Sequence, residues 1–340
     1  MTTRHMIVPA VVAALLASAP VVYGQDGKAN GNTYMMKLST ASVNDAQHEF
    51  LKRFAAAVEK DSGGRIKGEI YPASQLGSIP RQIEGTQFGS IQGWLGPPEF
   101  LVGVDERYQA LSAPGLFTSW EQDIRVINDA AVRDMLFNLG LKKGLVGLGI
   151  FMIGPSAIIT RKPIHHLADY KGMKIRVLAS PFQQEMINRM DASPVAMTLG
   201  DVLPALQQGA IDGALTPLNV FTTMHYQDAA KYVVETGQPH VNPMLVMNAK
   251  WVDALPPDLQ KTVRDDSAEV SKEIVVFARD FWEAQRKVWV DSGGELTTLP
   301  ADEQAAMIAR ISSIGNDLSK DKPALDRAVT QAFESAARNK

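Results

Sequence analysis

The chain contains no cysteine among its 340 residues. That absence excludes disulfide stapling, thiolate catalysis and cysteine metal sites. Nor is there a run of like charge. The formal net charge is −3, and no basic block gives a reason to propose nucleic acid as a partner. Beyond the N-terminus no segment has the length or purity of a membrane span. The strongest candidate, GLVGLGIFMIG at 144–154, is short and glycine-interrupted, and reads as an interior strand. No low-complexity linker and no internal repeat is present. H-E-x-x-H, P-loop and G-x-G-x-x-G motifs are missing. IGPSAI has Gly154 and Ser156 but lacks the second glycine of a nucleophile elbow. The missing nucleophile–base pair counts against an enzyme, and neither a cofactor nor a metal is implied.

What is present is ordinary globular composition, 45% hydrophobic and 21% charged, ample for two α/β domains at this length. The stretch MTTRHMIVPAVVAALLASAPVVYGQ has a basic start at Arg4, an apolar run and then small residues. This is the grammar of a secretory signal over 1–24, cut before Gln25, with Ala17-Ser18-Ala19 before Pro20 as the other candidate. An uncleaved membrane anchor is the weaker reading.

After it, TYMMKLST predicts a strand, and Asn44 or Asp45 can cap the helix whose Leu51, Phe54, Ala55 and Val58 recur at helical spacing. RIKGEIYP, IPRQIEGTQFGS and IQGWLG continue the alternation as strand, helix and strand. It resumes with LVGLGIFMI, GMKIRVLA, PFQQEMINRM, PVAMT, GDVLPALQQGA and DGALTP. Such alternation predicts mostly parallel sheets covered by helices. From Pro256 onward the chain is helical, beginning with a long amphipathic segment around 257–291. Parallel sheets bind ligands at the carboxyl ends of their strands, and two such domains facing each other form a cleft.

One residue breaks the pattern. In DYKGMKIRVLAS, Ile175, Val177 and Leu178 read as a buried strand, yet Arg176 stands within it. A guanidinium stays charged at any ordinary pH, and burying it unpaired is costly. Residue chemistry alone leaves two partners open: an Asp or Glu of this chain, or a carboxylate that arrives from outside. Other polar candidates are ambiguous too. His48 can face a ligand, or cap and pack the first helix. The side chains of His165 and His166 diverge, which favours a surface turn over a metal site. Trp94 and Phe100, in GWLGPPEF, can wall a pocket with Pro97 or belong to the core. Glu99 reads as a rim residue, because a carboxylate there would repel an acid. Thr40 and Asn219 are candidate hydrogen-bond donors.

The segments DYKGMKIRV, SPVAMTLGDVLPALQQGAIDGALTP, KYVVETGQ and WVDALPPDLQKTV, with YPASQLGS at 71–78, resemble the solute-binding proteins of tripartite ATP-independent periplasmic (TRAP) transporters. The resemblance covers nearly all of the chain after the signal. It implies a two-domain α/β clamp in the periplasm, a monomer, that captures an organic acid and delivers it to membrane permease subunits. It also implies that Arg176 pairs with the ligand carboxylate, for which a guanidinium offers two parallel N–H···O bonds. Crossings between domains are expected near 153, 241 and 281. Domain I would then comprise 33–153 plus 242–281, and domain II 154–241 plus 282–340, with the long helix spanning both.

Departures from the family pattern bear on the ligand. Leu178 stands where a proline is frequent. Thr216 replaces an asparagine of the sialic-acid binders, Ser156 aligns with their second arginine, and Leu199 replaces a phenylalanine. A pocket that has lost a charge and an amide suits a smaller or more apolar monocarboxylate, such as an aromatic, keto or hydroxy acid. Two alternatives stay open at this stage: a periplasmic enzyme acting on carboxylates, and a ligand sensor for a membrane receptor.

Overall fold

The computed structural model describes residues 33–339. The signal-sequence reading and its candidate cuts lie outside the described residues. The chain builds two sheets. The first contains β1 (Tyr34–Thr40), β2 (Ile66–Tyr71), β3 (Gly93–Gly96), β4 (Leu145–Ile150) and β11 (Met244–Asn248), in the order β2-β1-β3-β11-β4. The second contains β5 (Gly154–Thr160), β6 (Lys174–Val177), β7 (Ser193–Ala196), β8 (Gly213–Pro217), β9 (Tyr232–Val234) and β12 (Glu295–Thr297), in the order β12-β9-β5-β8-β6-β7, and β10 (His240–Val241) pairs with β5.

The parallel expectation holds for β1 with β2 and β3, and for β6 with β7 and β8. It does not extend to whole sheets. β11 runs antiparallel between β3 and β4, and β5 runs antiparallel to β8 and β9. The cause is connectivity: β4 leads into β5 through three residues, with no crossover helix to turn the chain back, and β11 re-enters the first sheet from the second.

Helices follow local signals. Asp45 caps α1 (Ala46–Asp61), its Oδ1 accepting from the His48 amide at 3.0 Å, and Phe50, Leu51, Phe54 and Val58 bury one stripe. α2 (Ile79–Phe88) covers the first sheet. α3 (Trp120–Ile127) and α4 (Ala130–Asn138) fall where periodicity alone predicts nothing. α5 (Pro181–Arg189), with Pro181 in its first turn, α6 (Val202–Gln208) and α7 (Leu218–Thr223) serve the second sheet. α8 (Ala249–Ala254) precedes α9 (Pro257–Asp291), 35 residues long and therefore about 52 Å. α9 buries Val263, Val270 and Ile274 in the core beneath the first sheet and Trp289 in the core that contains the second. Finally α10 (Ala301–Ile311), α11 (Ile314–Ser319) and α12 (Pro323–Arg338) close the chain, and α12 packs on α3, α4 and the 3₁₀ turn at Glu106–Ser112. Among the described residues no helix is long and apolar enough to cross a membrane.

Candidate functional site

A cavity lies at the carboxyl ends of parallel strands from both sheets. Ala41 and Ser42 follow β1, and Trp94 to Pro97 end β3. Arg176 lies near the end of β6 and Leu178 just after it, and Thr216 sits near the end of β8. Ile79, Phe100, Ile153, Leu199, Val220 and Val241 make the remaining wall largely apolar. The free space for water-sized molecules is only ≈ 30 Å3. That admits water but not an organic acid, since small-molecule sites run to about 300–1,000 Å3.

Arg176 is 1% exposed. It pairs in register with Ala214 of β8 and Val195 of β7, so it stands inside the second sheet. Its Nε donates to the Met197 carbonyl at 3.0 Å and its Nη1 to the Leu215 carbonyl at 3.3 Å. Those two bonds hold the guanidinium at the cavity but supply no counter-charge. Among the described residues no carboxylate forms an ion pair with it. Burial works against its charge and lowers its pKa; the Tyr226 phenol is the one group that opposes this shift. Tyr226 itself donates to the Leu199 carbonyl at 3.1 Å. The internal-carboxylate alternative thus has no partner here.

Trp94 is fully buried with an unpartnered Nε1. Its ring lies over the strand end because Gly96 leaves room. A Cβ at Gly96 would stand 2.3 Å from Cζ2 of the indole. Gln47 and Ser42 also reach the cavity, joined by a 3.0 Å bond from Gln47 Nε2 to Ser42 Oγ, with Asp45 accepting from the same amide at 3.3 Å. Asp45 is buried, and desolvation raises its pKa above the usual carboxylate value despite the amide bonds it accepts. Neither Gln47 nor Ser42 was singled out from sequence. The available signal was their place directly after the first parallel strand, where such sheets bind ligands.

Of the residues the sequence singled out, Arg176, Thr216, Trp94, Pro97, Leu199 and Phe100 line the cavity. Thr40, Ser156 and Asn219 do not. Each is buried, with the Thr40 and Ser156 hydroxyls and both Asn219 amide atoms unpartnered. His48 serves the helix start: its Nδ1 accepts from the Asn44 amide at 3.2 Å. Glu99 requires a correction. It is no rim residue but 2% exposed, because the 3₁₀ turn Pro98–Leu101 folds it inward. Its Oε2 lacks a partner, and burial raises its carboxyl to about 7. Among the described residues no group of His, Asp and Glu is arranged to hold a metal.

The profile of the DctP family, "Bacterial extracellular solute-binding protein, family 7", matches residues 38–321. A curated relative, the C4-dicarboxylate-binding periplasmic protein DctP of Rhodobacter capsulatus, is 24% identical over 275 residues, covering 79% of this chain and 81% of its own length. A TRAP periplasmic solute-binding protein from Desulfovibrio salexigens, solved with bound orotic acid, superposes with TM-score 0.86 at 24% identity, covering 91% of this chain and all of that one (100%). Another, from Anaerococcus prevotii with bound α/β-D-glucuronate, gives TM-score 0.84 at 22% identity over 90% of this chain and 99% of that one. The fold is the α/β periplasmic-binding-protein fold.

Proposed function

The chain belongs to the DctP family of bacterial extracellular solute-binding proteins, and from that premise we propose that it captures a small organic monocarboxylate in the periplasm and delivers it, as a monomer, to the membrane permease of a TRAP transporter. It is a binding protein, not an enzyme. The observation that carries the reading is Arg176: a buried guanidinium at a cavity, anchored by two carbonyls and matched by no carboxylate of the described chain. A ligand carboxylate supplies the missing counter-charge through charge-assisted bonds. Its remainder packs against Trp94, Phe100, Leu178, Leu199 and Val220, which favours an aromatic or short apolar chain over a polyhydroxylated sugar acid. The relatives named above were described with C4-dicarboxylate, orotic acid and glucuronate, all of them acids.

A thermal-shift screen of aromatic, keto, hydroxy and sugar monocarboxylates, each beside its primary amide, tests this. At one hundred times Kd a native-state ligand adds about 2.7 kcal/mol of apparent stability. The acids should raise the melting temperature and their amides should not. Equal shifts from acids and amides would remove the carboxylate from the recognition, and the largest shifts from sugar acids would overturn the apolar class.

A further inference from the structure

The two sheets bring polar groups of opposite sense to the cavity. The second sheet contributes Arg176, whose guanidinium has N–H donors and no acceptor. The first contributes Gln47, in the first turn of α1. Its Nε2 is already engaged, donating to Ser42 Oγ at 3.0 Å and to Asp45 Oδ2 at 3.3 Å. Asp45 Oδ1 accepts the His48 amide, and the Ser42 hydroxyl bonds to the same carboxyl. The side-chain donors of this cluster are therefore committed within it.

What remains is an acceptor. A carboxamide is planar, so Oε1 points away from the bonds that Nε2 makes. Gln47 Oε1 accepts from no described group. Nor is it sealed: the unpartnered Thr40 Oγ1 and Trp94 Nε1 are closed to water, whereas Gln47 Oε1 is not, on a residue that lines the cavity. A second ligand carboxylate does not suit this wall. Asp45 already caps the N-terminus of α1, and its carboxyl lies behind the Gln47 amide. An ammonium would be desolvated there without a charge to pair with, because Asp45 itself does not line the cavity. A neutral donor fits. We propose that Gln47 is a specificity residue for a hydroxyl, and that the solute is a hydroxy monocarboxylate whose O–H donates to Gln47 Oε1 while its carboxylate faces Arg176. This rests on the acid reading above and narrows its class.

Calorimetric titrations of the full chain test it with three hydroxy acids beside their deoxy partners: 3-hydroxypropanoate with propanoate, 4-hydroxybutanoate with butanoate, and 4-hydroxybenzoate with benzoate. In at least one pair the hydroxy acid should bind about two- to twelvefold more tightly, the worth of one net hydrogen bond. Gln47→Leu should bring that ratio to about one, whatever it does to both affinities; Gln47→Met takes its place if near-UV circular dichroism shows that Gln47→Leu is unfolded. The role of Gln47 is overturned if no pair shows the preference in wild type, if the folded Gln47 variant retains it, if Thr216→Val alone abolishes it, or if succinate binds more tightly than 4-hydroxybutanoate. The primary amides of the hydroxy acids separate this failure from that of the acid reading. Acids bound and amides rejected, with no hydroxyl preference, would overturn only the role of Gln47. Acids and amides bound equally would overturn the acid reading, and no saturable binding by any of these acids would overturn both.

Discussion

Between the lining residues Pro97 and Phe100, Glu99 buries a carboxyl beside a cavity read as binding carboxylates. An ionised neighbour would repel the ligand; a protonated one does not. Burial raises its pKa from 4.5 to about 7. Between those values the unfolded chain has released the proton while the native chain keeps it. The contribution of Glu99 to stability is therefore greatest below about pH 4.5, falls as pH rises to about 7 and is flat beyond. A shift of this size corresponds to at most about 3 kcal/mol. Glu99→Gln removes the dependence. Its melting temperature relative to wild type should climb between about pH 5 and about pH 8; a constant difference over that range would show that the carboxyl is not held neutral. Strand ends and the family resemblance together singled out Arg176, Trp94, Pro97, Thr216 and Leu199, and all five line the cavity, each near the end of a strand or just after one. Thr40 and Ser156, read as ligand-binding candidates, do not line it. Side chains alternate across a strand, so knowing the strand end does not fix which face its last hydroxyl takes. Glu99 was misread for a related reason: nothing local reveals that a 3₁₀ turn folds inward.

Strands and helices with a full apolar period were legible from sequence, and the cap of α1 was narrowed to Asn44 or Asp45, of which Asp45 takes the role. Replacing Asp45 by alanine should cost about 1 kcal/mol, read as a lower urea midpoint with an unchanged slope; an unchanged midpoint would mean that water replaces the cap. The least legible elements were α3 and α4, only 8 and 9 residues long, and β5. β5 opens with Gly154 at φ +139°, a conformation reserved for glycine, and a Cβ there would stand 2.7 Å from Cδ1 of Trp282. Gly154→Ala should therefore destabilise the fold by about 1–3 kcal/mol. Pairing it with Trp282→Ala should restore only the part due to the clash. Full recovery in the double variant would show that the backbone there carries no strain.

At the scale of the molecule, alternation in the sequence was enough to foresee helix-covered sheets with parallel strands, but not the antiparallel members of those sheets. Those depend on a chain that leaves the first sheet at β4 and re-enters it at β11. The α9 helix reaches the cores of both sheets. The domain division expected near 153, 241 and 281 remains a proposal, and α12 packs on elements of the first half of the chain. A cavity with ≈ 30 Å3 of free space and walls from both sheets can take up an acid only if the walls separate. Small-angle scattering should thus show a larger radius of gyration without ligand than at saturation; equal radii would argue for a rigid, preformed pocket. The central claim is that the partner of Arg176 comes from outside. Calorimetric titration of Arg176→Ala with the tightest acid from the screen, beside melting of the ligand-free proteins, tests it most directly. Truncating one member of a buried charge pair costs roughly 2–5 kcal/mol, so affinity should fall about thirty- to several-thousand-fold. Arg176→Lys should also bind poorly, having lost the bidentate fork, while melting of the ligand-free variants changes little. An Arg176→Ala protein that melts far lower yet binds the acid with near wild-type affinity would contradict the account.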